Sequence, residues 1–150
     1  MKIKRIEADI TTLNTDAIVN AANKRLLGGG GVDGFIHRAA GPKLYEACLA
    51  LPEIEPGVRC PTGYVEATPA FDLPCKYVIH AVGPRWESSG LTSDFGEKDA
   101  LVSCYEKALY KAQDLKMREP VFNGRYSAKA ERLYKTWKHL EARLLKEIYK

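Results

Sequence analysis

The hydrophobic residues of this chain fall into short runs separated by polar segments. Two runs, Ala17 to Asn20 and Tyr77 to Ala81, have the length and content of strands, and the second alternates as in a sheet interior. Two further strands are predicted near Ile3 to Ala8 and at Gly63 to Thr68. Each run is too short for a typical helix, so the pattern favours a sheet.

Other apolar residues recur at helical spacing. One such segment runs from about Val32 to Ala50, and a second, amphipathic one runs from Asp99 to Leu115. Strands mixed with helices are typical of an α/β domain. A chain of 150 residues with 45% hydrophobic content suffices for one domain with a proper core.

The segment from Asn20 to Gly34 holds four consecutive glycines, Gly28 to Gly31. Glycine destabilises a helix or strand by about 0.5–1 kcal/mol relative to alanine. Four together therefore indicate backbone that must come close to a bound group. The run joins a predicted strand to a predicted helix, where free N–H groups and the helix dipole favour an anion. Neither the ATP-type P-loop nor the dinucleotide fingerprint is supported, so the phosphate site stays generic; a flexible surface loop is the alternative.

Asn23 and Asp33 bracket these glycines where the chain leaves the strand and enters the helix. Both side chains are therefore able to face one pocket. Asn20 and Asn23 equally suit turn formation, and Asp33 equally suits a helix N-cap. These residues by themselves leave the alternatives open.

In content and order, this segment closely resembles the ADP-ribose-binding macrodomain family, in particular its MacroD-type hydrolase branch. The resemblance covers about residues 1–114 and implies a three-layer α/β/α fold with a mixed sheet. It rests on the glycine segment and on Ala8-Asp9-Ile10-Thr11, Asp16-Ala17-Ile18-Val19, Ile36-His37-Arg38-Ala39-Ala40-Gly41, Cys60-Pro61-Thr62-Gly63 and Tyr77-Val78-Ile79-His80-Ala81-Val82-Gly83-Pro84.

The resemblance implies a role for each candidate residue. Asp9 would accept a hydrogen bond from the adenine amine, with the backbone at Ile10 facing the base; Asp9 equally suits a helix cap. Asn23 would hold the proximal ribose. Asp33 would orient or deprotonate the attacking water, a role that suits a carboxylate. The remaining ligand contacts are expected from Asn20 and from backbone N–H groups at Gly30, Gly31 and Val32.

The chain departs from the macrodomain pattern after Leu115. The next apolar strand, the second phosphate-binding loop and the last strand of that fold are not recognisable. We therefore expect a sheet in which the last two strands are lost or replaced. Asn123-Gly124-Arg125-Tyr126 weakly resembles the missing loop, so Asn123, Gly124 and Tyr126 are retained as candidate ligand-binding residues.

Residues 116–150 instead form a basic segment that ends in one long predicted helix, from Ala128 to Lys150. They carry 10 basic and 4 acidic side chains, against 13 and 15 in residues 1–115. We divide the chain into a core, 1–115, and a divergent basic helical segment, 116–150, that packs on the same domain; dimerisation is the alternative use of its apolar face. A basic helix also allows nucleic-acid binding, but solvated faces often look the same, so neither nucleic acid nor a membrane is an expected partner.

The histidines and cysteines form no recognisable metal motif. His37 and His80 lie on separate apolar elements, and we favour packing or hydrogen bonding over catalysis or metal binding. There is no Cys-x-x-Cys pair, so neither zinc, nor a disulfide, nor another cofactor is expected. With no signal peptide and no long apolar span, the sequence predicts a cytoplasmic location.

The function that the resemblance implies is hydrolysis of ADP-ribosyl esters. The expected substrates are O-acetyl-ADP-ribose and proteins that carry mono-ADP-ribose on acidic side chains. Asp33→Ala is then expected to abolish turnover while weakening binding less. Two alternatives stay open: a module that binds ADP-ribose without efficient catalysis, and an inactive remnant with a nucleic-acid-binding tail.

Overall fold

The computed structural model describes residues 6–84, 97–115 and 120–122. The chain divides into two compact units, one of Asp9–Asn123 and one that combines Met1–Ala8 with Gly124–Lys150. Every helix and strand given below belongs to the first unit. The predicted basic helix lies outside the described residues, and so do Asn123, Gly124 and Tyr126.

Four strands of the described ranges form one mixed sheet in the order β2-β3-β1-β4. They are β1 (Ala17–Ala21), β2 (Val65–Pro69), β3 (Tyr77–Ala81) and β4 (Pro120–Phe122). β1 runs parallel to β3 and to β4, whereas β2 runs antiparallel to β3. The first three strands confirm those predicted at 17–20, 63–68 and 77–81, with small shifts at the ends.

β4 is a strand that the sequence does not reveal. It pairs in parallel with Ala17–Val19 of β1, although no strand is recognisable in the sequence after Leu115. Three residues that begin with a proline carry too little alternation to be identified, and proline is tolerated as the first residue of a strand. The expectation that this part of the sheet is missing is therefore wrong for residues 120–122.

The predicted strand at Ile3 to Ala8 is not supported where it can be compared, since residues 6–8 are not extended in a ladder. The rest of that segment lies outside the described residues. Within the described ranges, no helix is long and apolar enough to cross a membrane.

Within the described ranges, three α-helices flank the sheet: α1 (Gly31–Ala40), α2 (Pro42–Leu49) and α3 (Glu97–Asp114). α3 confirms the helix predicted at 99–115. The single helix predicted from Val32 to Ala50 is wrong, because Gly41 interrupts it with a φ of 79°. Pro42 occupies the first turn of α2, and a residue before proline is disfavoured in the helical conformation, so the Gly41-Pro42 pair ends one helix and begins the next.

The helices cover the sheet on opposite faces, which makes three layers. Ile18 and Val78 belong to the core cluster with α1 and α2. Their neighbours Val19 and Ile79 belong to the second cluster, with α3. Because side chains alternate along a strand, Asn20 and His80 share the face of Ile18 and Val78. Two polar residues of adjacent strands therefore point beneath α1.

Candidate functional site

The glycine run links the end of β1 to the beginning of α1. Gly30 is the N-cap of α1 and provides no side chain to bond the N–H groups of the first turn. A Cβ placed on Gly30 would meet no atom within 4 Å, so the backbone at this end of the helix is open. Uncapped N–H groups and the positive end of the helix dipole make this a place where an anion is stabilised.

Asn23 and Asp33 converge on the backbone of Gly29. A Cβ added to Gly29 would lie 3.2 Å from Nδ2 of Asn23 and 3.2 Å from Oδ2 of Asp33. Asn23 also stabilises the loop itself: its Nδ2 donates to the Gly28 carbonyl at 3.0 Å, and its Oδ1 accepts from the Arg25 N–H at 3.0 Å. Asn23 is thus a turn former whose amide, like the Asp33 carboxylate, lies close to Gly29.

Asp33 is the third residue of α1 and is therefore not its N-cap. The residue is buried, with 4% of its surface exposed. Oδ1 accepts a hydrogen bond from Nδ2 of Asn20 at 2.7 Å and lies 3.5 Å from Nε2 of His37. One carboxylate oxygen is therefore held from below, whereas the other faces Gly29.

Asn20 lies beneath this carboxylate, in the interior of the protein. Its side chain is fully buried and donates to Asp33, so Asn20 supports the site from inside. A direct contact of Asn20 with the ligand stays a prediction. Asn20 is also not a turn former, because it lies within β1, where Asn20 and His80 are register partners.

His80 connects Asn20 to β2. Its Nδ1 lies 3.1 Å from Nδ2 of Asn20, and its Nε2 lies 2.9 Å from Oγ1 of Thr68. Burial lowers the pKa of His80 from 6.5 to about 3, with a smaller contribution from the nearby His37. His80 is therefore neutral at pH 7, and it fills a hydrogen-bonding role of the kind that the sequence favours.

The depressed pKa of His80 predicts that the protein loses stability as the pH falls. The unfolded chain takes up a proton near pH 6.5, whereas the folded chain does so only near pH 3. The stabilising difference is complete above pH 6.5 and is lost as the pH falls toward 3. Between pH 6.5 and 5, this residue alone should remove about 2 kcal/mol from the free energy of unfolding.

Urea unfolding of the protein and of His80→Gln at several pH values between 5 and 7.5 measures this effect. Glutamine cannot take up the proton. The free energy of unfolding of His80→Gln should therefore depend less on pH than that of wild type, by about 1.4 kcal/mol per pH unit. Equal slopes for the two proteins would contradict the assignment of a neutral, buried His80. Absolute stabilities do not enter the comparison.

His80, His37 and Cys48 form a cluster that their separation in the sequence conceals. Their ligand-type atoms lie within 4.8 Å of one another, an arrangement that allows a metal ion. Both ring nitrogens of His80 already have hydrogen-bonding partners, and burial raises the pKa of the Cys48 thiol to about 11. Because the thiolate is the metal-binding form, this geometry favours a hydrogen-bonded cluster. The absence of a metal stays a prediction.

The other cysteines are also buried thiols. All four are free, namely Cys48, Cys60, Cys75 and Cys104. Burial raises the pKa of Cys60 to about 12 and that of Cys104 to about 11. Protonated, buried thiols are unreactive, so these residues serve as packing groups in the two cores.

Asp9 caps a short 3-10 helix, Ile10–Thr12, that contacts α1. Its Oδ1 accepts from the Thr11 hydroxyl at 2.7 Å and from the Thr11 N–H at 2.9 Å. These two bonds, the hydroxyl first, lower the pKa of the exposed Asp9 carboxyl. The structure therefore supports the capping role of Asp9, while its contact with adenine stays a prediction. Ile10 packs against the core beside it.

A cleft of about 460 Å³ borders the glycine run on the side of α1 and α2. It is lined by Gly28, Gly29 and His37 and, farther out, by Leu27, Gly34, Arg38, Gly41, Pro42 and Tyr45. Gly29 thus borders this cleft and also lies close to both Asn23 and Asp33.

The part played by Thr68 and the hydrogen-bonding partners of His80 are not predicted from the sequence. Alternation places His80 on one face of its strand, but only the parallel pairing of β1 with β3 brings it to Asn20. Thr68 joins them because β2 runs antiparallel to β3. The sequence does show one polar residue in each of three apolar strands. It does not show how those strands pair.

The fold and the site together define a class: a three-layer α/β/α domain with an uncapped, glycine-rich helix start next to a half-buried asparagine and a buried aspartate. The chain belongs to the Macro domain family, whose family model matches residues 19–124. This confirms the family resemblance and the predicted fold class.

Relatives of known sequence agree with this assignment. A macro domain-containing protein of Xanthomonas campestris is 50% identical over 122 residues, which cover 81% of this chain and 66% of that protein. One from Methanosarcina mazei is 47% identical over 135 residues, which cover 87% and 67%. The chain thus spans about two thirds of the length of these relatives.

Solved structures agree as well. The Oceanobacillus iheyensis macrodomain with ADP has a TM-score of 0.69 and 44% identity, and the match covers 78% of this chain and 60% of that one. The Trypanosoma brucei macrodomain in complex with ADP-ribose has a TM-score of 0.60 and 42% identity, covering 73% and 40%.

Proposed function

We propose that this protein binds ADP-ribose and hydrolyses ADP-ribosyl esters, with O-acetyl-ADP-ribose and mono-ADP-ribosylated acidic side chains as substrates. The observation that carries the proposal is the convergence of Asn23 and Asp33 at Gly29, where both side chains lie 3.2 Å from the position that a Cβ would take. An amide that bonds a ribose hydroxyl and a carboxylate that aligns a water are the two groups that ester hydrolysis at a terminal ribose requires.

Binding is supported by the start of α1. The uncapped N–H groups of its first turn and the open space above Gly30 suit a diphosphate, since they offer donors and positive potential without a side chain in the way. Structures of two relatives contain ADP or ADP-ribose. In this chain the diphosphate would lie against the backbone of Gly30, Gly31 and Val32.

The spacing of Asn23 and Asp33 is the same as that of two substitutions in a relative. Structures of the Oceanobacillus iheyensis macrodomain include an Asn-to-Ala and an Asp-to-Ala variant, at positions ten apart. Asn23 and Asp33 are also ten apart, with the glycines between them. The equal spacing supports the choice of these two residues as the pair at the reacting ribose.

Catalysis would proceed by attack of a water on the ester. Asp33 Oδ2, on the Gly29 side, would orient this water or accept its proton, while Asn23 would hold the ribose that carries the ester. The water would add to the acyl carbon, and the bond from that carbon to the ribose oxygen would break. The proton taken up by Asp33 would pass to that oxygen, so that the products are a carboxylic acid and the free ribose hydroxyl. No metal or organic cofactor enters this scheme.

Calorimetric titration with ADP-ribose, followed by an assay of O-acetyl-ADP-ribose hydrolysis, tests the proposal. We expect saturable binding at one site per chain and release of acetate. ADP, which lacks the terminal ribose, is the matched control ligand. Asn23→Ala should lower the affinity for ADP-ribose by about 5- to 15-fold, which corresponds to one or two hydrogen bonds. The affinity for ADP should stay unchanged.

Each result separates one alternative. Folded protein that gives no heat with ADP-ribose would overturn both binding and hydrolysis. Binding without release of acetate, or of ADP-ribose from a modified protein, would reduce the function to that of a binding module. Equal losses for ADP and ADP-ribose in Asn23→Ala would show that Asn23 stabilises the loop instead of holding the ribose.

A further inference from the structure

Beneath the Asn23–Asp33 pair lie three polar side chains that the proposed chemistry does not use: Thr68, His80 and Asn20. All three are buried, with Thr68 3% exposed and the other two 0%. They connect in series to Asp33, through distances of 2.9 Å, 3.1 Å and 2.7 Å. We call these three residues the buried relay. Each comes from a different element: Thr68 from β2, His80 from β3 and Asn20 from β1.

The donors and acceptors of the buried relay admit one consistent assignment. The NH₂ group of Asn20 has two hydrogens, and it faces two acceptors, Oδ1 of Asp33 and Nδ1 of His80. Because Nδ1 of His80 accepts, the ring proton of the neutral histidine lies on Nε2. That N–H then donates to Oγ1 of Thr68 at 2.9 Å.

The opposite orientation of the Asn20 amide would fail. It would set Oδ1 of Asn20 against a carboxylate oxygen at 2.7 Å, where two acceptors repel each other. The orientation observed leaves Oδ1 of Asn20 buried and without a hydrogen bond among the described residues. A buried acceptor without a partner destabilises the fold. The Asn20 amide is therefore oriented so that its NH₂ group donates to Asp33, although this orientation leaves its own carbonyl oxygen without a partner among the described residues.

From this geometry we infer that the buried relay positions Asp33 for the proposed hydrolysis and assigns separate roles to its two oxygens. Oδ1 is held by Asn20 and is the anchoring oxygen. Oδ2, which faces Gly29 and Asn23, is the oxygen that contacts the attacking water. Thr68 and His80 are positioning residues, since they act on Asp33 through Asn20. The inference rests on the proposed function only for its catalytic consequence.

Thr68 is the residue at which the buried relay is best tested. Thr68→Val keeps the shape and the strand preference but removes the acceptor for the His80 Nε2–H. A distance of 3.7 Å to the Cys48 sulfur leaves that N–H only a weak substitute. The alternative tautomer, with a proton on Nδ1, would set two donors against each other at Asn20. Asn20 would then no longer hold Asp33.

A first experiment tests the buried relay by NMR spectroscopy and needs no activity assay. The protein has three histidines, so 15N labelling of the imidazoles and two-bond N–H correlation spectra resolve His80 by comparison with His80→Gln. We expect a protonated Nε2, an unprotonated Nδ1 and no titration of His80 between pH 5 and 8. An Nδ1–H tautomer, or titration near pH 6.5, would overturn the inference.

A second experiment measures the effect of the buried relay on catalysis. In Thr68→Val, kcat for O-acetyl-ADP-ribose should fall about tenfold, the value of one hydrogen bond to a charged group, with KM within about twofold. Thr68→Ser restores the hydroxyl and should restore kcat. Thr15→Val is the matched control, because it removes a hydroxyl that bonds Ala17 at the other end of β1.

The outcomes distinguish this inference from the proposed function. Wild-type protein without turnover would contradict the proposed hydrolase, and the tautomer of His80 would still test the geometry of the relay. Turnover in wild type with an unchanged kcat in folded Thr68→Val would overturn the positioning role alone. A loss that Thr68→Ser does not restore, or that Thr15→Val shares, would show general destabilisation and would also overturn it.

Discussion

Asp33→Asn is expected to lower kcat for O-acetyl-ADP-ribose by about 10²- to 10⁴-fold, the contribution of a positioned acid–base group. The substitution keeps the size of the side chain, and an amide oxygen in the place of Oδ1 still accepts from Asn20. It removes the negative charge and the basic oxygen on the Gly29 side. Affinity for ADP-ribose should change by less than about threefold, because the diphosphate contacts of the helix start remain.

Steady-state kinetics and calorimetry on the same preparations measure the two effects. Glu46→Gln is the matched control, since it makes the same chemical change at an exposed position of α2 and should leave kcat and affinity unaltered. Activity in Asp33→Asn close to that of wild type would remove Asp33 from the reaction. An equal loss of kcat and of ADP-ribose affinity would indicate that the variant disturbs the loop.

Gly34→Ala is expected to destabilise the protein and to disturb the site. A Cβ at this position would lie 2.6 Å from the carbonyl oxygen of Gly29, and backbone cannot yield as a side chain does. Overpacking of this kind costs about 1–3 kcal/mol, more than alanine gains over glycine in a helix. The shift that relieves the clash must move Gly29, on which Asn23 and Asp33 converge, so turnover should fall as well.

Gly30→Ala provides the comparison for this prediction. Its Cβ would enter open space at an exposed position with a φ of −91°, which any residue adopts. Its free energy of unfolding should stay within about 0.5 kcal/mol of wild type. Urea unfolding of both variants decides the matter. A similar stability for Gly34→Ala and wild type would mean that α1 and the glycine run are not packed as closely as described.

Together, these variants distinguish three groups of residues in one site. Asp33 and Asn23 are the groups proposed to meet the substrate, Gly29 and Gly34 allow their close approach, and the buried relay orients Asp33 from the core. The relay uses one residue from each of three strands, so correct pairing of the sheet is a condition for a correctly oriented carboxylate. A change in β2 is therefore able to alter the chemistry proposed for α1.

Much of the fold could be predicted from local pattern. The strands at Ala17–Ala21 and Tyr77–Ala81 and the helix α3 have clear periodicity and correspond to their predictions. The break at Gly41 carried a local signal too, in the proline that follows it, but the apolar spacing of the flanking helices obscured that signal. β4 had no such signal, because its three residues depend on the edge of β1 for their pairing.

The amino-acid sequence by itself determined the family, the glycine run, and the candidate pair Asn23 and Asp33, because short motifs and their order are local properties. The tertiary structure decided what these residues touch. It placed the buried side chain of Asn20 under Asp33, and it joined Thr68, His80 and Asn20 across three strands. The physical reason is that hydrogen bonds between strands depend on register and direction, which arise only when the sheet assembles.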